Sequence, residues 1–167
     1  MADLVFLLVF LQALGAAAGF FMTVKGEIAY VRAMRDGKID RAERAHLDHL
    51  AAGLRFGLSI LLLSSLGLVI LAYLVQGVPQ PALTANYWAL VLLALLVVYV
   101  AWALSKNRIS FGLGSAVAFT GWWFLMYFAF GLMPQLSFGA FVAFFVVATG
   151  VFYGLLQAVR YFALHRV

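Results

Sequence analysis

A chain of 167 residues that is 66% hydrophobic and only 10% charged, with a mean hydropathy of +1.07, departs far from the composition of a soluble domain and belongs in a lipid bilayer. The absence of cysteine excludes a disulfide framework, a thiolate metal site and a thiol nucleophile. A net charge of +5 would point to nucleic acid in a soluble protein, but here its placement along the chain gives a different reading, with no nucleic-acid partner.

Segments of about 20 apolar residues, long enough to cross a bilayer, are expected at residues 3–24, 52–76, 86–105, 109–132 and 137–160. The first contains Gly15-Ala-Ala-Ala-Gly19, which mimics a signal-peptide cleavage site. Its leading end carries Asp3 and no Lys or Arg, so it reads as a true span. Residues 25–51 follow as the first connection, and within them residues 32–50 are the only strongly polar stretch. Ile28 and Val31 continue the apolar face of the first helix, and Leu47, Leu50, Ala51 and Leu54 do so for the second. Asp36-Gly37 supplies a turn, and Asp40 with Glu43 three residues on approximates a capping box. A cytoplasmic helical hairpin is therefore expected. The later connections are short: "GVPQPALTA" and "MPQLS" contain proline and no charge, and "SKNR" is a four-residue turn.

Lys25, Arg32, Arg35, Lys38, Arg41, Arg44 and Arg55 flank the first connection, Lys106 and Arg108 the third, and Arg160 and Arg166 the end of the last span. With five spans, all 11 basic residues fall on one side. The positive-inside rule makes that side cytoplasmic and puts the N-terminus outside. The fold expected is an all-α, polytopic bundle of five transmembrane helices in a single domain covering residues 1–167, with the C-terminus cytoplasmic. No internal repeat suggests an inverted-repeat transporter.

The hairpin raises two resemblances to ion sites. Aligning Gly37 with the glycine of a calcium loop puts Glu43 at its last position, but Arg32 and Met34 then stand where oxygen donors are needed. Arg32 lies opposite Glu43 in such a hairpin, so an Arg32–Glu43 ion pair is expected to close it. The second resemblance is a metal set: Glu43 and His46 have the i, i+3 spacing of carboxylate-bridged di-iron helices, with His49 a turn on and Glu27 on the preceding helix. One chain offers half of such a set. A transmembrane cytochrome would carry histidines inside its spans, where this chain has none, so no cofactor is expected, with metal or haem the alternative.

Inside the spans no Asp, Glu, Lys or His lies near a centre, and Arg55 and Arg160 are expected to snorkel to the interface. Serines and threonines lack a histidine at matching depth, which leans against an enzyme, and no catalytic residue is assigned. Gln12, Thr120, Trp122 and Trp123 are the polar features at mid-span, candidates for a pocket that holds a flat apolar ligand such as a quinone or a lipid. Arg41, Arg44 and Arg55 project to one side of the second helix and are candidates for lipid headgroups. Small-xxx-small pairs at Gly15/Gly19, Gly53/Gly57 and Gly150/Gly154 serve either folding within the chain or association between chains.

The run Gln12-Ala-Leu-Gly15 through Gly19, the DGKID…E hairpin and the following LRFGLSILLLSSLGL resemble small multi-span bacterial inner-membrane proteins over about the first 75 residues. The resemblance implies a bacterial cytoplasmic membrane location and no particular activity. That pattern often has a histidine near the position of Gln12, so its absence here works against metal or haem. The function expected is that of a non-catalytic membrane protein, an accessory subunit or homo-oligomer whose basic hairpin contacts a partner or anionic lipid. The alternative is a membrane protein or transporter that binds a metal or a small apolar ligand.

Overall fold

The structure is a computed structural model. It describes residues 2–33, 41–106, 108–134 and 136–165, and their side chains except at 2, 41–48, 50, 80, 164 and 165. Among these residues the chain is all helical: α1 (Ala2–Ala33), α2 (Arg41–Gln76), α3 (Ala85–Ser105), α4 (Phe111–Ala129) and α5 (Phe138–His165), with one 3-10 turn at Gln80–Leu83. All five α-helices are long and apolar enough to cross a membrane, so this is a multi-span membrane protein. Each helix satisfies its own backbone, which is what a spanning segment needs in hydrocarbon. At 32 and 36 residues, α1 and α2 exceed a bilayer crossing.

The boundaries follow local chemistry. Gly77 and Gly131 end α2 and α4 with φ of 68° and 67°, a left-handed conformation that glycine adopts without a Cβ penalty. Thr84 caps α3 by accepting from the Tyr87 amide at 3.2 Å. Ser110 caps α4 by accepting from the Leu113 amide at 3.4 Å. Of the two prolines of the second connection, Pro79 caps the 3-10 turn and Pro81 falls within it, and Trp88 Nε1 donates to the Ala82 carbonyl of that turn at 2.9 Å.

The helices pack as two hairpins, α1 on α2 and α3 on α4, joined where α1 meets α4, with α5 laid against α4. Glycine permits the closest approaches. A Cβ at Gly15 would stand 2.8 Å from the Gly57 carbonyl oxygen, and one at Gly57 would stand 2.9 Å from that of Gly15. Gly19 leaves room for the Trp122 ring of α4, which a Cβ there would overlap. The Gly15/Gly19 and Gly53/Gly57 pairs thus serve folding within the chain, whereas Cβ atoms at Gly150 and Gly154 would meet nothing within 4 Å. The core between the hairpins is formed by Ala16, Leu58, Leu61, Leu90, Leu93, Ala94, Val97, Trp122, Phe124 and Leu125.

Candidate functional site

Charge is buried at one place among the described residues, where α1, α4 and α5 meet. Arg160 of α5 donates to Glu27 of α1 from Nη2 to Oε1 and Oε2, both at 2.8 Å, and from Nε to Oε2 at 3.3 Å. Their side chains are only 10% and 11% exposed. Nη2 also donates to Ser115 Oγ of α4, and that hydroxyl donates to the Gly112 carbonyl at 3.2 Å. One guanidinium therefore ties three helices together. Two rings flank it: Tyr30 and Phe111 stack with centroids 3.6 Å apart, and the Arg160 Cζ lies 5.7 Å and 5.1 Å from their centres.

This corrects one expectation. Arg160 does not snorkel; it is 8% exposed and turns inward to a carboxylate. A long cationic side chain on a spanning helix seeks either water or an anion, and here Glu27 of α1 stands within its reach. The two positions are 133 residues apart, and no spacing rule connects them. The signal available in the sequence was Glu27 itself, an acid on the first spanning helix that requires a partner.

Glu27 is engaged with Arg160, Arg32 is exposed and His49 is exposed. The side chains of Glu43 and His46 lie outside the described residues, and with them the expected Arg32–Glu43 pair and the four-residue metal set. Among the described residues no group of three His, Asp or Glu stands together to hold a metal ion. Of the lipid-headgroup candidates, Arg55 is exposed, while the side chains of Arg41 and Arg44 lie outside the described residues.

The mid-span polar residues face different partners. Gln12 Nε2 donates to Ser65 Oγ of α2 at 2.9 Å. Thr120 Oγ1 donates to the Ala116 carbonyl of its own helix at 2.8 Å. Trp123 is edge-on to Phe20 with ring centroids 5.3 Å apart and stacked on Tyr127 at 5.7 Å. Trp122 is 1% exposed, and its Nε1 is a buried donor with no hydrogen-bond partner among the described residues. The Gly19–Trp122 fit accounts for the position of the ring.

Two cavities border the Arg160 cluster. One, of about 350 Å³, is lined by Tyr30, Phe111, Gly112, Gln157 and Arg160. The other, of about 220 Å³ between α1 and α5, is lined by Glu27, Val31, Arg32, Leu156 and Arg160. A third, of about 540 Å³ between α4 and α5, is lined chiefly by apolar residues with Ser110 and Thr149.

No family model, curated protein or solved structure matches this chain. The class that fold and cluster define is a five-helix membrane bundle clasped by a buried ion pair.

Proposed function

We propose that this protein is a non-catalytic membrane subunit that works by association, with a second copy of itself as its first partner, and that its basic end rests on anionic lipid. The observation behind this is the state of α5. Among its described residues only Arg160 is buried. Phe141, Phe145, Ala148, Phe152 and Leu156, at helical spacing, are half-buried toward the bundle. Gly139, Ala143, Gly150, Gly154 and Ala158 fall on the opposite side and are all exposed.

Lipid tails are as apolar as leucine, so apolarity alone does not draw helices together in a bilayer; close backbone approach does. Small residues one turn apart on an otherwise uncovered face supply that approach, and a two-fold contact places the same face on both partners. The native mass of the purified protein should be that of a dimer or higher oligomer, and Gly150→Leu with Gly154→Leu should shift it to the monomer. A wild-type monomer over the accessible concentration range would reject self-association, and co-purification of a different membrane subunit would turn the reading to an accessory role.

The orientation proposed is N-terminus outside and C-terminus in the cytoplasm of a bacterial inner membrane, supported by the one-sided distribution of Lys and Arg. Cysteines replacing Gln80 and Gln135 should be labelled from outside intact cells, and one replacing Lys38 should not.

A further inference from the structure

The Arg160 cluster is held more firmly than an ion pair alone requires, and it leaves donors unspent. Arg160 uses Nε and Nη2 for Glu27 and Ser115. Nη1 takes part in none of these bonds and lies on the Gly112 side, 3.4 Å from where a Gly112 Cβ would be. Gln157 Nε2 lies 2.7 Å from that same point and has no hydrogen-bond partner among the described residues. Both groups line the cavity of about 350 Å³ whose wall includes the stacked Tyr30 and Phe111. Phe111 and Gly112 form the first turn of α4, the end of a helix where unpaired amides make the backbone electropositive. A side chain at position 112 would occupy the space between these donors; glycine leaves it free.

What surrounds this donor group tells what it would take. On α5, Val146, Thr149, Tyr153, Gln157 and Arg160 recur at spacings of three or four, so they share one face. The upper part of that face lines the donor cavity, and the lower part, with Leu113 and Val117 of α4 and with Gly150, where this face adjoins the small-residue face of α5, lines the apolar groove of about 540 Å³. Tyr153 joins the two, since its ring edge lies 3.5 Å from the Gly112 Cβ position. Amide and guanidinium donors thus stand over a long apolar groove open between two spanning helices.

We infer that this face is a binding site for one glycerophospholipid: the phosphodiester sits against Gln157 Nε2 and Arg160 Nη1 above the first turn of α4, and an acyl chain lies in the α4–α5 groove past Tyr153 and Val117. Glu27 already balances the charge of Arg160. The site therefore recognises the phosphate oxygens common to all such lipids and does not demand an anionic headgroup. This sets it apart from the attraction of the basic end for anionic lipid, on whose membrane orientation it rests.

Native mass spectrometry of protein released from lipid bilayers reads this directly. The wild type should retain one phospholipid per chain from zwitterionic and anionic bilayers alike. Gln157→Leu removes a donor and Val117→Trp fills the groove, and neither touches the Glu27–Arg160–Ser115 cluster. Each should lower retention by about tenfold, the loss of one charge-adjacent hydrogen bond or of the chain's seat, while size exclusion and helical content stay at wild-type values. Wild-type retention in either variant overturns the site. Displacement of the lipid by millimolar inorganic phosphate would identify a free-anion site and overturn the lipid assignment. Retention of anionic species alone, lost in an Arg41/Arg44/Arg55→Gln variant and unchanged in Gln157→Leu, would also overturn it while leaving the wider reading of the basic end in place.

Discussion

Glu27 and Arg160 show how two charges survive inside an apolar bundle. Each is about nine-tenths covered, and each would be costly alone; together, with three hydrogen bonds between them and a fourth to Ser115, they satisfy one another. The asymmetry of that arrangement makes a specific prediction. Glu27→Ala leaves a buried guanidinium without its anion and should cost about 3–5 kcal/mol. Replacing both residues by apolar ones of similar size, Glu27→Leu with Arg160→Met, should recover most of that loss, because the desolvation of both charges is relieved together. Detergent-solubilised unfolding by heat or denaturant checks this; equal losses in the single and double variants would show that the pair contributes through packing alone. Gln12 and Ser65 illustrate the neutral version of the same rule, a mid-span amide and a hydroxyl meeting across α1 and α2 at 2.9 Å.

At the scale of helices, glycine decides which faces meet. The α1–α2 seam depends on Gly15 and Gly57 bringing backbone against backbone, and the α1–α4 seam on Gly19 admitting the Trp122 ring. Ala at position 15 would place its methyl 2.8 Å from both the Gly57 carbonyl oxygen and the Leu61 amide, atoms that cannot rotate away. Gly15→Ala should therefore lower stability by about 1–3 kcal/mol, the cost of overpacking a close contact. Gly154→Ala, where the new methyl meets nothing within 4 Å, should leave the melting temperature of the monomeric fold unchanged. Similar destabilisation by both substitutions would refute this division of the glycine pairs.

Five spans at nearly the observed boundaries, and the turns that follow the second and fourth of them, were legible from apolar run lengths, proline and glycine alone. Those features are local, set by bilayer thickness and by turn chemistry within a few residues. What was not legible is what depends on neighbours distant in sequence. The Glu27–Arg160 pair joins the first helix to the last, and the use of one glycine pair for folding and another for an open face depends on which helices touch. The expected gathering of Gln12, Thr120, Trp122 and Trp123 rested on shared depth, and depth does not fix direction: Gln12 turns to α2, and Trp122 fits against Gly19 of α1.

The molecule as a whole presents two clasped hairpins and a fifth helix held mainly on one side. The uncovered small-residue face of α5 is where we propose that a second copy docks. The chain has no cysteine of its own, so single cysteines introduced along α5 report the contact without background. Disulfide formation between chains in native membranes should be strong at Ala143, Gly150, Gly154 and Ala158, and weak at Ala148, Phe152 and Leu156, which are half-buried toward the bundle. Uniformly weak cross-linking along α5, or strong cross-linking that follows the 148–152–156 face, would contradict the account.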